Sequence, residues 1–178
     1  MLASFKASAA RSLCLVPDRV VPRAKHLPAG RTLHLVDIEN LAGAAREYRC
    51  SAAEALAQYR ALAGVREDDH VVIAAGGLMA FRAGNLWAGA RVVAARGVNG
   101  ADLALINEVS VPESIAARFD RVVIGSGDGI FVESINALRR LGIPVGVVAP
   151  IGGLSAHSYR AASFVRVMLP ACTHQEAA

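Results

Sequence analysis

Five short, nearly unbroken apolar runs recur along the chain, and they limit its fold more than any other feature. They lie at 33–37 (LHLVD), 70–75 (HVVIAA), 91–95 (RVVAA), 121–125 (RVVIG) and 144–149 (PVGVVA), with a sixth candidate at 164–169 (FVRVML). They are rich in valine and nearly continuous rather than alternating, which marks strands buried on both faces of a parallel sheet. The intervals have room for crossover helices. Ser51 followed by Glu54 forms a capping-box pattern for a helix through about Leu62, closed by Gly64. Phe131, Ile135 and Leu138 mark one face of another helix, which Gly142 and Pro144 end. This rhythm predicts an α/β sandwich with right-handed crossovers.

A chain of 178 residues, 54% of them hydrophobic, has room for one domain, placed here over 31–169 between a basic extension (1–30) and a short tail (170–178). The net charge of +4 belongs to the extension. Lys6, Arg11, Arg19, Arg23 and Lys25 face Asp18 alone there, whereas the remainder balances 14 arginines against 14 acids and holds no lysine. No apolar stretch approaches the ~18 residues of a membrane span, so no membrane partner is expected. Cys14, Cys50 and Cys172 are odd in number and widely spaced, which supports neither a disulfide framework nor a zinc knuckle and points to a reducing, cytoplasmic setting.

In a parallel sheet the ligand site lies beyond the carboxyl ends of the strands, and acids are found there. Asp37 and Glu39 leave the first run, and point the same way if the strand persists through residue 39. Asp102 opens a helix after the third run, and Asp128 sits among glycines after the fourth. If the first and fourth strands are neighbours, three acids from distant stretches converge. Hard divalent cations take such oxygen ligands and can activate water and polarise a phosphoryl oxygen. Each acid also has a plainer reading: Asp102 as a helix N-terminal acid, Asp128 as a turn residue, Glu39 with Asn40 as a solvated exit.

The segments VDIENL (36–41), RGVNGADLALINE (96–108), VVIGSGDGIF (122–131) and LRRLGIPVGVVA (138–149) together resemble the NYN domain of the PIN-like nuclease superfamily, over roughly 31–169. The resemblance implies a Rossmann-like three-layer sandwich with a mainly parallel sheet in an order near 3-2-1-4-5. It also implies a ribonuclease site dependent on Mg²⁺ or Mn²⁺. By position, Asp37, Asp102 and Asp128 match the family's acidic motifs, Asn40 the asparagine of its first motif, and Ser126 its Ser-Gly-Asp turn. Glu108 stands where a later acid is usual, and Glu39 or Glu108 would assist through water. Ile130 replaces the second acid that the family commonly carries after that turn. The partner implied is single-stranded or structured RNA, with a homodimer compatible.

Two rival functions follow from the same residues. Ile130 favours an RNA-binding or scaffolding module that has kept the fold without the chemistry. The Asp-x-acid pattern and the later Gly-Asp-Gly resemble haloacid dehalogenase phosphatases, but that chemistry needs a lysine, which residues 31–178 lack. Arg96, together with Arg46, Arg82 and Arg160, lies at or near strand exits and offers forks for phosphate. Phe81, Trp87 and Tyr159 offer faces for unpaired bases, while Phe131 suits the core. His34 falls inside the first strand, and nothing pairs His157 with a nucleophile. No GxGxxG or GxxxxGK[ST] pattern supports a nucleotide cofactor.

Overall fold

A computed structural model describes residues 30–43 and 50–170. The expectations for the basic extension, Cys14, Arg46, Cys172 and nearly all of the short tail fall outside these residues. The elements run β1 (Thr32–Asp37), α1 (Ile38–Gly43), α2 (Ala52–Ala63), β2 (His70–Gly76), α3 (Gly77–Leu86), β3 (Arg91–Ala95), α4 (Gly100–Glu108) and α5 (Pro112–Ala116). They continue with β4 (Arg121–Gly125), a 3-10 turn (Gly129–Phe131), α6 (Val132–Arg140), β5 (Val145–Pro150), α7 (Ala156–Ala161) and β6 (Phe164–Met168). All strand pairs are parallel, in the order β3-β2-β1-β4-β5-β6. The sixth run therefore joins the sheet beside β5, one strand beyond the order that the resemblance implies.

Why the runs lack alternation is visible in the two cores. Leu33, Leu35, Val72, Val122, Ile124, Val145 and Val147 face one side, where they meet Leu105 of α4, Ile115 of α5, and Ile135 and Leu138 of α6. Val36, Val71, Ile73, Val123 and Val148 face the other, against Ile38 and Leu41 of α1, Leu56 and Tyr59 of α2, and Ala80 and Ala83 of α3. Both faces of each central strand are covered, which makes a Rossmann-like three-layer sandwich. Ser51 and Glu54 form the expected capping box, and Gly64 takes the left-handed conformation (φ 64°) that ends α2. No described helix is long and apolar enough to cross a membrane.

The chain winds outward from β1 through β2 to β3, then returns to place β4 on the other side of β1. Strand order reverses at β1, so a crevice opens beyond its carboxyl end. One expectation for this point is corrected. The strand does not last through residue 39: it ends at Asp37, and α1 starts at Ile38. Asp37 itself causes the change, because its Oδ1 accepts the backbone N–H of both Glu39 (3.0 Å) and Asn40 (3.0 Å), satisfying the first turn of the helix.

Candidate functional site

The crevice holds a pocket of about 190 Å³ lined by Asp37, Glu39, Gly76, Ala95, Gly97, Asn99, Gly100, Ala101 and Asp102. Asp37 arrives from the end of β1 and Asp102 from the first turn of α4, and they are 5% and 8% exposed. Glu39 reaches the same pocket from α1, where its Oε1 accepts the N–H of Gly76 (3.1 Å) and ties the helix to the end of β2. Three carboxylates thus share one cavity, but the third is Glu39 rather than Asp128.

Burial raises the pKa of Asp37 to about 7; the N–H of Asn40 opposes this rise, and the charge of Asp102 adds to it. Burial likewise pushes Asp102 up, assisted by the charges of Asp128 and Glu39 and opposed by its hydrogen bond with Asp37. Burial and the neighbouring carboxylates make it costly for Asp37 and Asp102 to be ionised together, so the pair holds a proton more tightly than free carboxyls do. Asp102 Oδ1 is buried and has no hydrogen-bond partner. Such an orphaned acceptor is costly unless something positive or protic meets it.

Asp128 stands in an adjoining concavity of about 370 Å³ with Asn40, Gly127, Gly129 and the 152–155 loop. Its Oδ1 accepts the N–H of Ile130 (3.0 Å), so it caps the 3-10 turn while its charge is still felt at Asp102. Asn40 and Ser126 do structural work. Asn40 Oδ1 accepts from Gly127 N (3.1 Å) and joins the exits of β1 and β4, while the buried Ser126 Oγ accepts from Asp128 N (3.3 Å). Arg96 is exposed at the exit of β3, beside the pocket. Glu108 is not in the site: it lies at the far end of α4 and pairs with Arg91 at the start of β3. The six residues separating it from Asp102 span about 9 Å of helix, which carries it away from the pocket.

Sequence reasoning missed Asn99, which lines the pocket with φ 56° and ψ 19°. The Asn99-Gly100 dipeptide, in the short loop between β3 and α4, is a turn signal that would have located it. Elsewhere, Phe131 is in the core as expected, and Trp87 is buried beside Tyr59 and under the Arg60 guanidinium. Phe81 is 71% exposed. His34 is fully buried between Tyr59 Oη (Nδ1, 2.9 Å) and Asp69 (Nε2, 3.3 Å), at the amino end of the sheet, away from the carboxylates.

Among the described residues, no group of three or more histidine, cysteine, aspartate or glutamate side chains is already gathered closely enough to hold a metal ion. Mg²⁺, however, typically uses one or two carboxylates and takes its other ligands from water and substrate phosphate. Asp37 and Asp102 meet that requirement. They are hard oxygen donors in charge conflict, with one oxygen orphaned, and Glu39 is within the same cavity. The donor set fits a hard divalent cation.

No family model and no curated protein matches this chain. Among solved structures it is similar to a protein of unknown function from Vibrio parahaemolyticus RIMD 2210633. The two are 17% identical with a TM-score of 0.60, over 78% of this chain and 93% of that one. At that identity the likeness establishes a shared fold.

Proposed function

We propose that the pocket binds Mg²⁺ or Mn²⁺ and that the protein is a metal-dependent ribonuclease hydrolysing RNA phosphodiester bonds. The observation that carries this reading is the pairing of Asp37 with Asp102, two buried carboxylates from distant segments that conflict in charge and leave one oxygen without a partner. The resemblance to NYN domains supports it, because these are two of the three acids that match the family's motifs. When bound, such an ion lowers the pKa of a water and stabilises charge on phosphoryl oxygens.

The chain's own residues supply position. Asp37 is fixed on one oxygen by two backbone N–H groups, and Glu39 is braced by Gly76. Asp102 is carried on the first turn of a helix packed against β1, β2 and β3. Asp128, next door, adds negative charge without filling the pocket.

Titration calorimetry with Mn²⁺, together with cleavage of an end-labelled oligoribonucleotide, tests the proposal. Wild type binds the ion and cleaves; Asp37→Asn keeps the helix cap, because asparagine also accepts from these N–H groups, and loses both. Cleavage unchanged in Asp37→Asn overturns the assignment. RNA binding with no ion site and no cleavage returns the protein to the rival reading that Ile130 favours, a binding module on the same fold.

A further inference from the structure

We propose that Asn99 contacts the substrate, its carboxamide N–H donating to a non-bridging oxygen of the phosphodiester in the acid pocket. The inference rests on the nuclease reading and adds a residue to which no motif pointed.

The lining of the pocket carries the argument. Asp37, Glu39 and Asp102 are joined there by three glycine or alanine positions on the strand ends and loop, two at the start of α4, and Asn99; no lysine or arginine is among them. Asn99 is therefore the one lining residue whose side chain donates a hydrogen bond whatever the protonation of the acids. A phosphodiester entering this space meets three carboxylates, and a neutral donor is the group able to orient it without competing for the cation.

Two further observations keep Asn99 available. It occupies the N-cap position of α4, where an asparagine normally accepts an N–H of the first turn, yet its side chain makes no such bond. Its backbone is left-handed, the one non-glycine case among the described residues. Glycine holds that conformation at no steric cost and asparagine tolerates it, so a glycine at this position separates the carboxamide from the backbone.

The experiment separates the side chain from the backbone. Asn99→Gly keeps the left-handed turn and removes the donor, whereas Asn99→Asp keeps size and shape and replaces the donor with an acceptor. Both are compared with wild type by Mn²⁺ titration, thermal melting, and steady-state cleavage of an end-labelled oligoribonucleotide. The expected result is Mn²⁺ affinity within about twofold and an unchanged or higher melting temperature for Asn99→Gly, with kcat/KM reduced about tenfold or more. Asn99→Asp loses at least as much. Glycine or aspartate cleaving at the wild-type rate overturns the role of Asn99 and leaves the nuclease standing. A wild type that neither binds Mn²⁺ nor cleaves overturns both.

Discussion

Asp37 holds a helix start and a buried charge with the same carboxyl group, and these two tasks conflict. Its pKa of about 7, against about 4 in an unfolded chain, means that the folded protein binds its proton more tightly. The associated stability is complete below about pH 4 and is lost as pH rises through 7. Asp37→Asn keeps the cap without the charge, so it should be more stable than wild type at pH 8, by up to about 4 kcal/mol. That gain should shrink toward zero near pH 4, which urea unfolding across this range would show.

His34 works in the opposite direction. Burial lowers its pKa from 6.5 to about 4, despite the nearby Asp69, so its contribution is present above pH 6.5 and is lost as pH falls through 4. The two effects overlap in wild type. In the Asp37→Asn background the opposing Asp37 contribution is gone, and the His34 contribution to a loss of stability on acidification from pH 6.5 to 4, about 3 kcal/mol, should show more clearly than in wild type.

At the scale of elements, the site depends on how tightly neighbouring loops approach. A Cβ on Gly127 would come within 2.1 Å of the Gly153 carbonyl oxygen and 2.9 Å of Leu154 Cα, both backbone atoms. Ser155 N also donates to Gly127 O at 2.8 Å. Gly127→Ala should therefore cost about 2–3 kcal/mol and reshape the concavity around Asp128, measurable as a lower unfolding midpoint. Ser51→Ala, far from the pocket, should cost about 1 kcal/mol through loss of the cap and leave ion binding unchanged.

Elements were legible in the sequence where chemistry is local. The runs at 91–95 and 121–125 coincide with β3 and β4, and the Ser51–Glu54 pair opens α2 as its pattern requires. Where a side chain changes the path of its own backbone, the reading failed. Asp37 caps α1 at once, so Glu39 reaches the pocket from a helix rather than along a strand. Glu108 shares a helix with Asp102 but lies at its far end, as their spacing requires; what the spacing does not reveal is its partner there, Arg91. Asn40 has the residue type of a ligand contact and in the structure ties two loops together.

For the whole molecule, strand content, parallel character and the end of the sheet carrying the acids all follow from the pattern of apolar runs, because burial on both faces leaves one solution for a βα rhythm. Which acids face each other is set by the docking of α4 across β1, β2 and β3, a long-range contact. Ion binding should therefore be felt by the entire fold. Mn²⁺ at about 100 times its Kd should add about 2.7 kcal/mol, or roughly 5–10 °C in melting temperature, and Asp37→Asn should show no such rise.

The absence of any basic side chain from the pocket lining has a kinetic consequence for the proposed nuclease. An acidic cavity without a basic residue disfavours a polyanion until a cation offsets its charge, so on that reading the nucleic acid would bind with the ion or after it. A nuclease built this way would be idle until the ion arrives, and its turnover would follow the free divalent concentration as well as the supply of RNA.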